Sequence, residues 1–338
     1  MDKRPYILIL GSGEPTQELV PALRSVGTSH YKLLGRFSLN GAQAPNPGEA
    51  IPVLGTSESL RDYIFRNPVD IVLVSTSLSP ASSKKLLEPI MEIGLTVAVP
   101  SGVTVSLESS APGKIFKRNE RFLGMDATLI STVHQKKIYE IAKRALDLVI
   151  SGSLLVLLAP LFGLIALAVK SSSPKGPLFH RLHWIGKNGK PFTGFKFRTM
   201  VPDADQLKQE LLGFNEMEGP VFKMRNDPRI TPVGRFLRRF SLDELPQLYS
   251  VLKGDLSLVG PRAPLRDEAE KFQFWQRRKL SVKPGISCLW QINGRNEICS
   301  FDEWARLDLE YIEKASFLLD LKILLLTIPA VLSGRGAS

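Results

Sequence analysis

Short apolar runs alternate with stretches of helical spacing along the first hundred residues. The continuous apolar runs are residues 5–10, Val69–Val74 and Thr96–Pro100. Runs of this length predict buried strands, and Leu60–Phe65 and Lys84–Ile93 predict helices between them. Strands that alternate with helices indicate a doubly wound, mostly parallel α/β sheet. The pattern therefore predicts a Rossmann-like module over residues 1–110.

The turn after the first strand, Gly11-Ser12-Gly13, resembles the start of a dinucleotide-binding loop. Three features argue against that use. Thr16 replaces the third glycine, and Pro15 falls where the helix would begin. The second predicted strand, which starts at Lys32, ends in Gly35-Arg36 without a ribose-binding acid. We interpret the loop as a tight turn in a non-catalytic module. A nicotinamide-dependent oxidoreductase built on this module is the alternative enzyme.

The periodic pattern weakens from residue 101 and returns near Lys136 with helical spacing. The intervening stretch is rich in Gly, Pro, Ser and Lys, a composition typical of connecting segments. We therefore predict a linker at 111–135, followed by a mostly α-helical, membrane-associated catalytic domain at 136–338.

The longest apolar run of the chain extends from Ala145 to Val169 and carries a single charge, Asp147. This run is long enough to cross a bilayer core of ~30 Å at about 1.5 Å per residue. Basic residues flank both ends, whereas a simple span favours them on one side, and Pro160 interrupts the middle. We predict a re-entrant helix, about residues 143–170, that breaks at Ala159-Pro160 and returns to the same side. A straight span and a buried helix of a soluble protein are the alternatives.

Charge and cysteine content narrow the set of partners. The formal net charge is +11, and the basic excess lies between Lys114 and Lys283, on both sides of the apolar run. This location favours lipid headgroups and phosphorylated substrates over nucleic acid, for which the sequence has no recognised motif.

Two cysteines without metal-ligand spacing indicate a reducing compartment. Because no apolar leader follows Met1, we expect the N-terminal module in the cytoplasm.

Adjacent carboxylates at Asp243 and Glu244 stand among many arginines. These arginines are Arg225, Arg229, Arg235, Arg238, Arg239 and Arg262. Phosphate transfer needs guanidinium groups on the non-bridging oxygens and usually a divalent cation held by carboxylates. A covalent route also needs a nucleophile, which an aspartate can supply. The combination indicates phosphate chemistry beside a membrane. The structural alternative is a capping box, with Ser241 as the N-cap and Glu244 three residues later.

Several motifs of one known family occur here in the same order. They are Lys196-Phe197-Arg198, Asp243-Glu244 and Gly260-Pro261-Arg262. In these motifs the sequence resembles the monotopic phosphoglycosyl transferases, also called bacterial sugar transferases, over residues 136–338. Larger members of that family carry a Rossmann-like domain before the catalytic part. One departure is Ala263, because the family usually has proline directly after the arginine.

The resemblance implies an enzyme that transfers a sugar 1-phosphate, with a hexose expected, from a UDP-sugar to undecaprenyl (polyprenyl) phosphate and releases UMP. It implies a ping-pong reaction at the cytoplasmic face of the bacterial inner membrane, the first membrane step of exopolysaccharide, capsule or O-antigen assembly. The partners are then a UDP-sugar, polyprenyl phosphate and the phospholipid membrane, and a homodimer is a further candidate. A membrane-anchored nucleotide sensor or scaffold with an inactive transferase domain is the alternative.

The resemblance also implies roles for individual residues. Asp243 is the nucleophile of a covalent phosphosugar intermediate, and Glu244 binds Mg²⁺ or Mn²⁺. The residues implied to bind phosphate or nucleotide are Arg238, Arg262, Lys196 and Arg198. The break in the membrane helix corresponds to Ala159 and Pro160. The departure at Ala263 weakens any assignment of nucleotide contacts in the loop after Arg262.

Overall fold

Two compact units make up the protein in the computed structural model. The first comprises Met1–His134, Asn188–Lys190 and Gln273–Ser281, and the second comprises Gln135–Lys187, Pro191–Phe272 and Val282–Ser338. The structure describes residues 3–332 apart from 13–15, 17, 18, 20, 22, 24, 25, 28, 40–50, 108–113, 135, 225 and 294–297. Gly13 and Pro15 of the glycine-containing turn, together with Arg225, therefore lie outside the described residues.

A seven-stranded sheet forms the centre of the first unit, in the order β3-β2-β1-β4-β5-β7-β6. Its strands are β1 (Tyr6–Leu10), β2 (Lys32–Ser38), β3 (Val53–Thr56), β4 (Ile71–Val74), β5 (Thr96–Pro100), β6 (Phe116–Phe122) and β7 (Met125–Ser131). The first five strands are parallel, whereas β7 runs antiparallel to both β5 and β6. Parallel strands are covered on both faces, and residues 7–10 of β1 are accordingly fully buried.

Two described helices flank these strands in the chain, α1 (Leu60–Arg66) and α2 (Pro80–Glu92). The Ser79 hydroxyl accepts a hydrogen bond from the backbone N–H of Ser82 and so caps α2. The predicted mixed α/β class with a largely parallel sheet is confirmed. The Rossmann-like assignment and the boundaries at 110 and 135 stay predictions, and β6 and β7 fall within the segment assigned to the linker.

The second unit is mostly helical. Its helices are α3 (Lys137–Leu157), α4 (Ala159–Ser172), α5 (Ala204–Glu210), α6 (Pro232–Arg239), α7 (Gln247–Lys253), α8 (Arg266–Ala269), α9 (Leu289–Ile292), α10 (Phe301–Lys314) and α11 (Phe317–Leu332). Two small sheets accompany them: an antiparallel hairpin of β8 (Phe179–Ile185) and β9 (Pro191–Phe197), and a parallel pair of β10 (Ser257–Val259) and β11 (Gly285–Ser287).

Helices α3 and α4 contain the long apolar run and meet at an angle. The bend between them is 61°, and Leu158 joins them, with Pro160 in the first turn of α4. Proline is favoured at this position because its missing N–H would have no partner in the helix anyway. Among the described residues, no single helix is long and apolar enough to cross a bilayer, whereas this bent pair is, by length and composition together.

Candidate active site

A cavity of about 620 Å³ in the second unit contains the residues that the motifs singled out. Its lining includes Lys196, Arg198, Arg238, Asp243, Glu244 and Arg262. These residues come from β9 and the segment after it, from α6 and the turn that follows, and from the loop after β10. Three motifs spread over 67 positions of the chain therefore meet at one site.

The carboxylate pair lies on a single 3-10 turn, Leu242–Glu244. Ser241 precedes this turn in the left-handed conformation, with φ 51°, and its side chain makes no capping hydrogen bond. The capping-box alternative is therefore wrong, because an N-cap residue has an extended backbone. A non-glycine residue in the left-handed region is uncommon, and such strain concentrates at functional sites.

Asp243 is buried, with 6% of its surface exposed. Burial raises the pKa of its carboxyl group, and the neighbouring Glu244 carboxylate acts in the same direction. Lys196 and Arg238 oppose the shift. Cations beside a buried carboxylate favour its ionised form. The environment therefore balances desolvation of Asp243 against two cations that would also meet a phosphate.

Lys196 on β9 faces the second carboxylate of the pair. Its Nζ lies 2.5 Å from Oε1 of Glu244, and the two side chains are each 28% exposed. A partly exposed ion pair is readily exchanged for other partners, because solvent screens it. Glu244 is thus the more accessible member of the pair, and Asp243 the more enclosed.

Arg238, in the last turn of α6, is oriented by the segment that follows β9. Its Nε donates to the hydroxyl of Thr199 at 3.0 Å. Gly234 allows α6 to approach this segment, because a Cβ there would lie 2.0 Å from the carbonyl oxygen of Thr199. Burial lowers the pKa of Arg238, while Asp243 and Asp227 favour its charged form. The guanidinium therefore reaches the cavity with a fixed orientation.

Arg262 is held by a buried carboxylate. Its Nη1 and Nη2 donate to the two oxygens of Glu268 at 3.0 and 3.4 Å, and Glu268 is 3% exposed. Burial alone would lower the pKa of Arg262, but the Glu268 carboxylate outweighs burial and the pKa is raised. A forked pair of this kind fixes the plane of the guanidinium. Ala263 follows directly and also lines the cavity.

The side chains beneath the site share one apolar cluster. Ile165 and Val169 of α4 pack with Phe197 of β9 and Leu237 of α6, and Leu242 and Leu245 on either side of the carboxylate pair pack against them. The helix after the bend therefore supports the strand, the helix and the turn that carry Lys196, Arg238 and Asp243.

Comparison with known proteins agrees with this geometry. The bacterial sugar transferase family matches residues 138–334, more than half of the chain. The chain belongs to the bacterial sugar transferase family. The predicted membership of this family is confirmed.

Three relatives of this bacterial sugar transferase have informative names. Galactosyl transferase CpsE of Streptococcus agalactiae is 47% identical over 223 residues, which cover 65% of this chain and 49% of CpsE. The undecaprenyl-phosphate galactose phosphotransferase of Salmonella typhimurium is 32% identical over 98% of this chain and 68% of its own length. Exopolysaccharide production protein ExoY of Rhizobium meliloti is 40% identical over 58% of this chain and 88% of its own length. The chain thus spans about half the length of CpsE and about two thirds of the Salmonella protein.

The arginines that the sequence singled out differ in their relation to the cavity. Arg229 is 4% exposed and makes a forked ion pair with Asp227, at 2.8 and 2.6 Å. Burial alone would raise the pKa of Asp227, but the hydrogen bonds from Arg229 lower it. Arg235 and Arg239 are exposed and lie outside the cavity lining. The charge of Arg229 is therefore compensated by Asp227. A high local density of arginine is not sufficient to identify the residues that bind phosphate.

Arg198 lines the cavity and donates through Nε to the carbonyl of Met200 at 2.9 Å. This contact fixes the segment between β9 and α5. Arg198 is therefore at the site, as predicted, but one of its donors is committed to the backbone.

The sequence did not predict several residues that lie at the cavity. Thr199 directly follows the Lys-Phe-Arg motif, and Glu268 lies six residues after Arg262, so proximity to a motif was the available signal. Trp290 and Trp304 also line the cavity and stack, with ring centroids 4.3 Å apart. Their separation in the chain left no local signal that they would meet.

Proposed function

We propose that this chain transfers a hexose 1-phosphate from a UDP-sugar to polyprenyl phosphate and releases UMP. The observation that carries the proposal is the cavity in which the buried Asp243 lies with Lys196, Arg238 and Arg262. The names of the relatives support a lipid phosphate as acceptor and make galactose the first sugar to test.

In the first half-reaction, a carboxylate oxygen of Asp243 attacks the phosphorus that carries the sugar. The bond between that phosphorus and the bridging oxygen breaks, and UMP leaves with the electron pair. Arg238 stabilises the negative charge on the oxygens of the attacked phosphate, and Arg262 stabilises that on the phosphate of the departing nucleotide. Thr199 and Glu268 hold these two guanidinium groups before the substrate arrives, so little reorganisation is needed.

In the second half-reaction, a phosphate oxygen of the polyprenyl phosphate attacks the same phosphorus. The acyl phosphate bond breaks, which restores the Asp243 carboxylate and leaves the sugar on a lipid-linked diphosphate. Lys196, which pairs with Glu244 in the cavity, contributes positive charge for the second phosphate.

The carboxylate pair also fits a divalent cation that arrives with the substrate. Among the described residues, no group of three or more His, Cys, Asp or Glu side chains could hold a metal alone. Mg²⁺ is commonly bound by one or two carboxylates together with substrate phosphates, and Glu244, with Asp243 beside it, offers such carboxylates. When bound, Mg²⁺ or Mn²⁺ would neutralise charge on the phosphate oxygens.

The proposal includes a monotopic position at the cytoplasmic face of the bacterial inner membrane, where polyprenyl phosphate is available. The 61° bend between α3 and α4 supports a re-entrant helix, as do their exposed apolar side chains. Val156 and Leu157, just before the bend, are 79% and 74% exposed. A lipid-linked sugar diphosphate would be the first membrane intermediate of an exopolysaccharide, capsule or O-antigen, in line with the name of ExoY.

A panel of UDP-hexoses with polyprenyl phosphate, scored for UMP release and lipid-linked product, tests the proposal. The wild-type chain should turn over at least one UDP-hexose, and Asp243→Asn should lose more than about 10³-fold of that rate, because an amide cannot form the acyl phosphate. An Asn variant within about tenfold of wild type would exclude Asp243 as the nucleophile. Nucleotide binding without UMP release by the wild type would instead support the inactive scaffold.

A further inference from the structure

The one charge inside the apolar run is buried and hydrogen-bonded. Asp147 on α3 is 3% exposed. Its Oδ1 accepts hydrogen bonds from the backbone N–H of Leu258 at 2.8 Å and from the hydroxyl of Ser257 at 3.0 Å. Both donors belong to β10, which leads directly to Arg262. Burying a carboxylate is costly unless it is hydrogen-bonded. The two hydrogen bonds to β10 compensate this cost and attach α3 to that strand.

Arg144 lies on the same face of α3, three residues earlier, and binds a second element. Its Nη1 and Nη2 donate to the carbonyl oxygens of Val251 and Leu252 at 2.7 and 2.8 Å. These carbonyls are at the C-terminal end of α7, where the helix dipole favours a cation. Helix α7 begins at Gln247, three residues after Glu244.

One turn of α3 therefore contacts both the helix that follows the carboxylate pair and the strand that precedes Arg262. Neither Arg144 nor Asp147 is among the residues that line the cavity. The hydrogen bonds of these two side chains thus connect α3 to the site through α7 and β10.

We propose that Arg144 and Asp147 are positioning residues that set the spacing between the Asp243–Glu244 pair and Arg262. The inference rests on the proposed transfer reaction. Arg262 acts on the nucleotide phosphate, so Asp147 serves the first half-reaction. The carboxylate pair acts in both half-reactions, so Arg144, through α7, serves both.

The two side chains therefore have different kinetic signatures. In a ping-pong reaction, kcat/KM for each substrate reports its own half-reaction. Asp147→Ala should lower kcat/KM for the UDP-sugar by about tenfold or more and change kcat/KM for polyprenyl phosphate by less than about twofold, since small misplacements are costly only where the misplaced group acts. Arg144→Ala should lower both constants by about tenfold.

Conservative variants and a control complete the kinetic test. Asp147→Asn keeps an acceptor oxygen for Ser257 and Leu258 and should recover to within about threefold of wild type. Arg144→Lys can bind only one carbonyl at a time and should recover in part. Glu140→Ala removes an exposed charge one turn away on α3 and should leave both constants unchanged.

Amide hydrogen exchange of the full chain in lipid nanodiscs tests the same link without turnover. Exchange should rise in peptides covering residues 255–262 for Asp147→Ala and residues 247–254 for Arg144→Ala, and stay unchanged for Glu140→Ala. If Asp147→Ala does not fold, Ser257→Ala removes one of the two donors to the Asp147 carboxylate and should raise exchange in the same peptides. Asp147→Asn keeps the acceptor oxygen and should show the wild-type exchange.

A purely structural role predicts a different result, because loss of folded protein lowers both constants of Asp147→Ala by one common factor. That result, or unchanged exchange at 255–262, would overturn the inference. Failure of the transfer reaction itself would appear separately, as a wild-type chain that releases no UMP, and the exchange data would then decide whether these residues hold α7 and β10.

Discussion

Two adjacent carboxylates in this site have different surroundings. Asp243 is enclosed by protein, whereas Glu244 is partly exposed and paired with Lys196. An enclosed carboxylate is poorly solvated and therefore suited to attack, and an accessible one can exchange its partner for a metal ion. The difference supports the proposed roles of Asp243 as nucleophile and Glu244 as metal ligand.

The acid limb of the pH profile should report Asp243. Only the carboxylate attacks, so kcat/KM for the UDP-sugar should fall as the pH drops through its pKa. Burial raises that pKa, so the fall should begin above the ~3.9 of an ordinary aspartate. Lys196→Met removes a cation that lowers the pKa and should move the limb to higher pH. Lys175→Met, exposed and outside the cavity, is the control, and a limb that stays in place for Lys196→Met would contradict the assignment.

Removal of the metal ligand should be nearly as damaging as removal of the metal. We expect excess EDTA to abolish UMP release and added Mg²⁺ or Mn²⁺ to restore it. Glu244→Gln should lose at least about tenfold of the rate and need more metal for half-maximal activity, because an amide oxygen is a weaker ligand than a carboxylate. Full activity in EDTA would refute a metal requirement.

At the scale of elements, a buried polar cluster joins the C-terminal helix α11 to α3. Asp320 of α11 is 1% exposed and pairs with Lys143 of α3 at 2.6 Å. Its carboxylate also accepts hydrogen bonds from the hydroxyls of Tyr139 at 2.8 Å and Tyr311 at 2.7 Å. Both oxygens of this carboxylate are therefore hydrogen-bonded, and Asp320 ties the first turn of α11 to α3 and α10.

Asp320→Ala should therefore destabilise the second unit. Removing one partner of a buried pair leaves the other charge uncompensated, which costs roughly 3–5 kcal/mol. Thermal unfolding of the purified chain in detergent would measure the shift. Glu310→Ala, which breaks the exposed pair with Lys314 on α10, is the matched control and should leave the midpoint unchanged. An equal midpoint for both variants would show that α11 is held by apolar packing instead.

The local sequence was sufficient to predict some strands and insufficient to predict others. Strands β1, β4 and β5 are continuous apolar runs because parallel strands are buried on both faces. Strand β6 was missed because its alternating burial exposes Lys117, Asn119 and Arg121, so it resembles a polar connection. Charged residues of this kind are typical of a strand at a sheet edge.

At the site, too, some residues could be predicted from the sequence and others could not. The family resemblance singled out Asp243, Arg238 and Arg262, and the structure brings the three residues to one cavity. The resemblance could not predict Glu268 or Thr199, whose role lies in contacts that form only after folding. The capping box failed for a related reason: packing of Leu242 and Leu245 in the apolar cluster accompanies a left-handed Ser241, and this tertiary arrangement overrides the local pattern.

At the scale of the whole molecule, the position of the membrane decides whether the cavity can meet a lipid substrate. We expect both flanks of the bent helix pair on the cytoplasmic side. Single cysteines at Glu140 and at Lys175, in a background without Cys288 and Cys299, should react with a membrane-impermeant thiol reagent in inverted vesicles and stay unlabelled in intact cells. Labelling of the two positions from opposite sides would establish a span and refute the re-entrant arrangement.

The fixed pairing of Arg262 with Glu268 has a consequence for the direction of the reaction. A guanidinium that is already oriented binds the phosphate of a departing nucleotide as readily as that of an arriving one. UMP would therefore remain near the phosphosugar intermediate and recombine with it, regenerating the sugar nucleotide. Net synthesis would then depend on how quickly the cell removes UMP, as much as on the supply of activated sugar, and polymer output would follow the nucleotide balance of the cytoplasm.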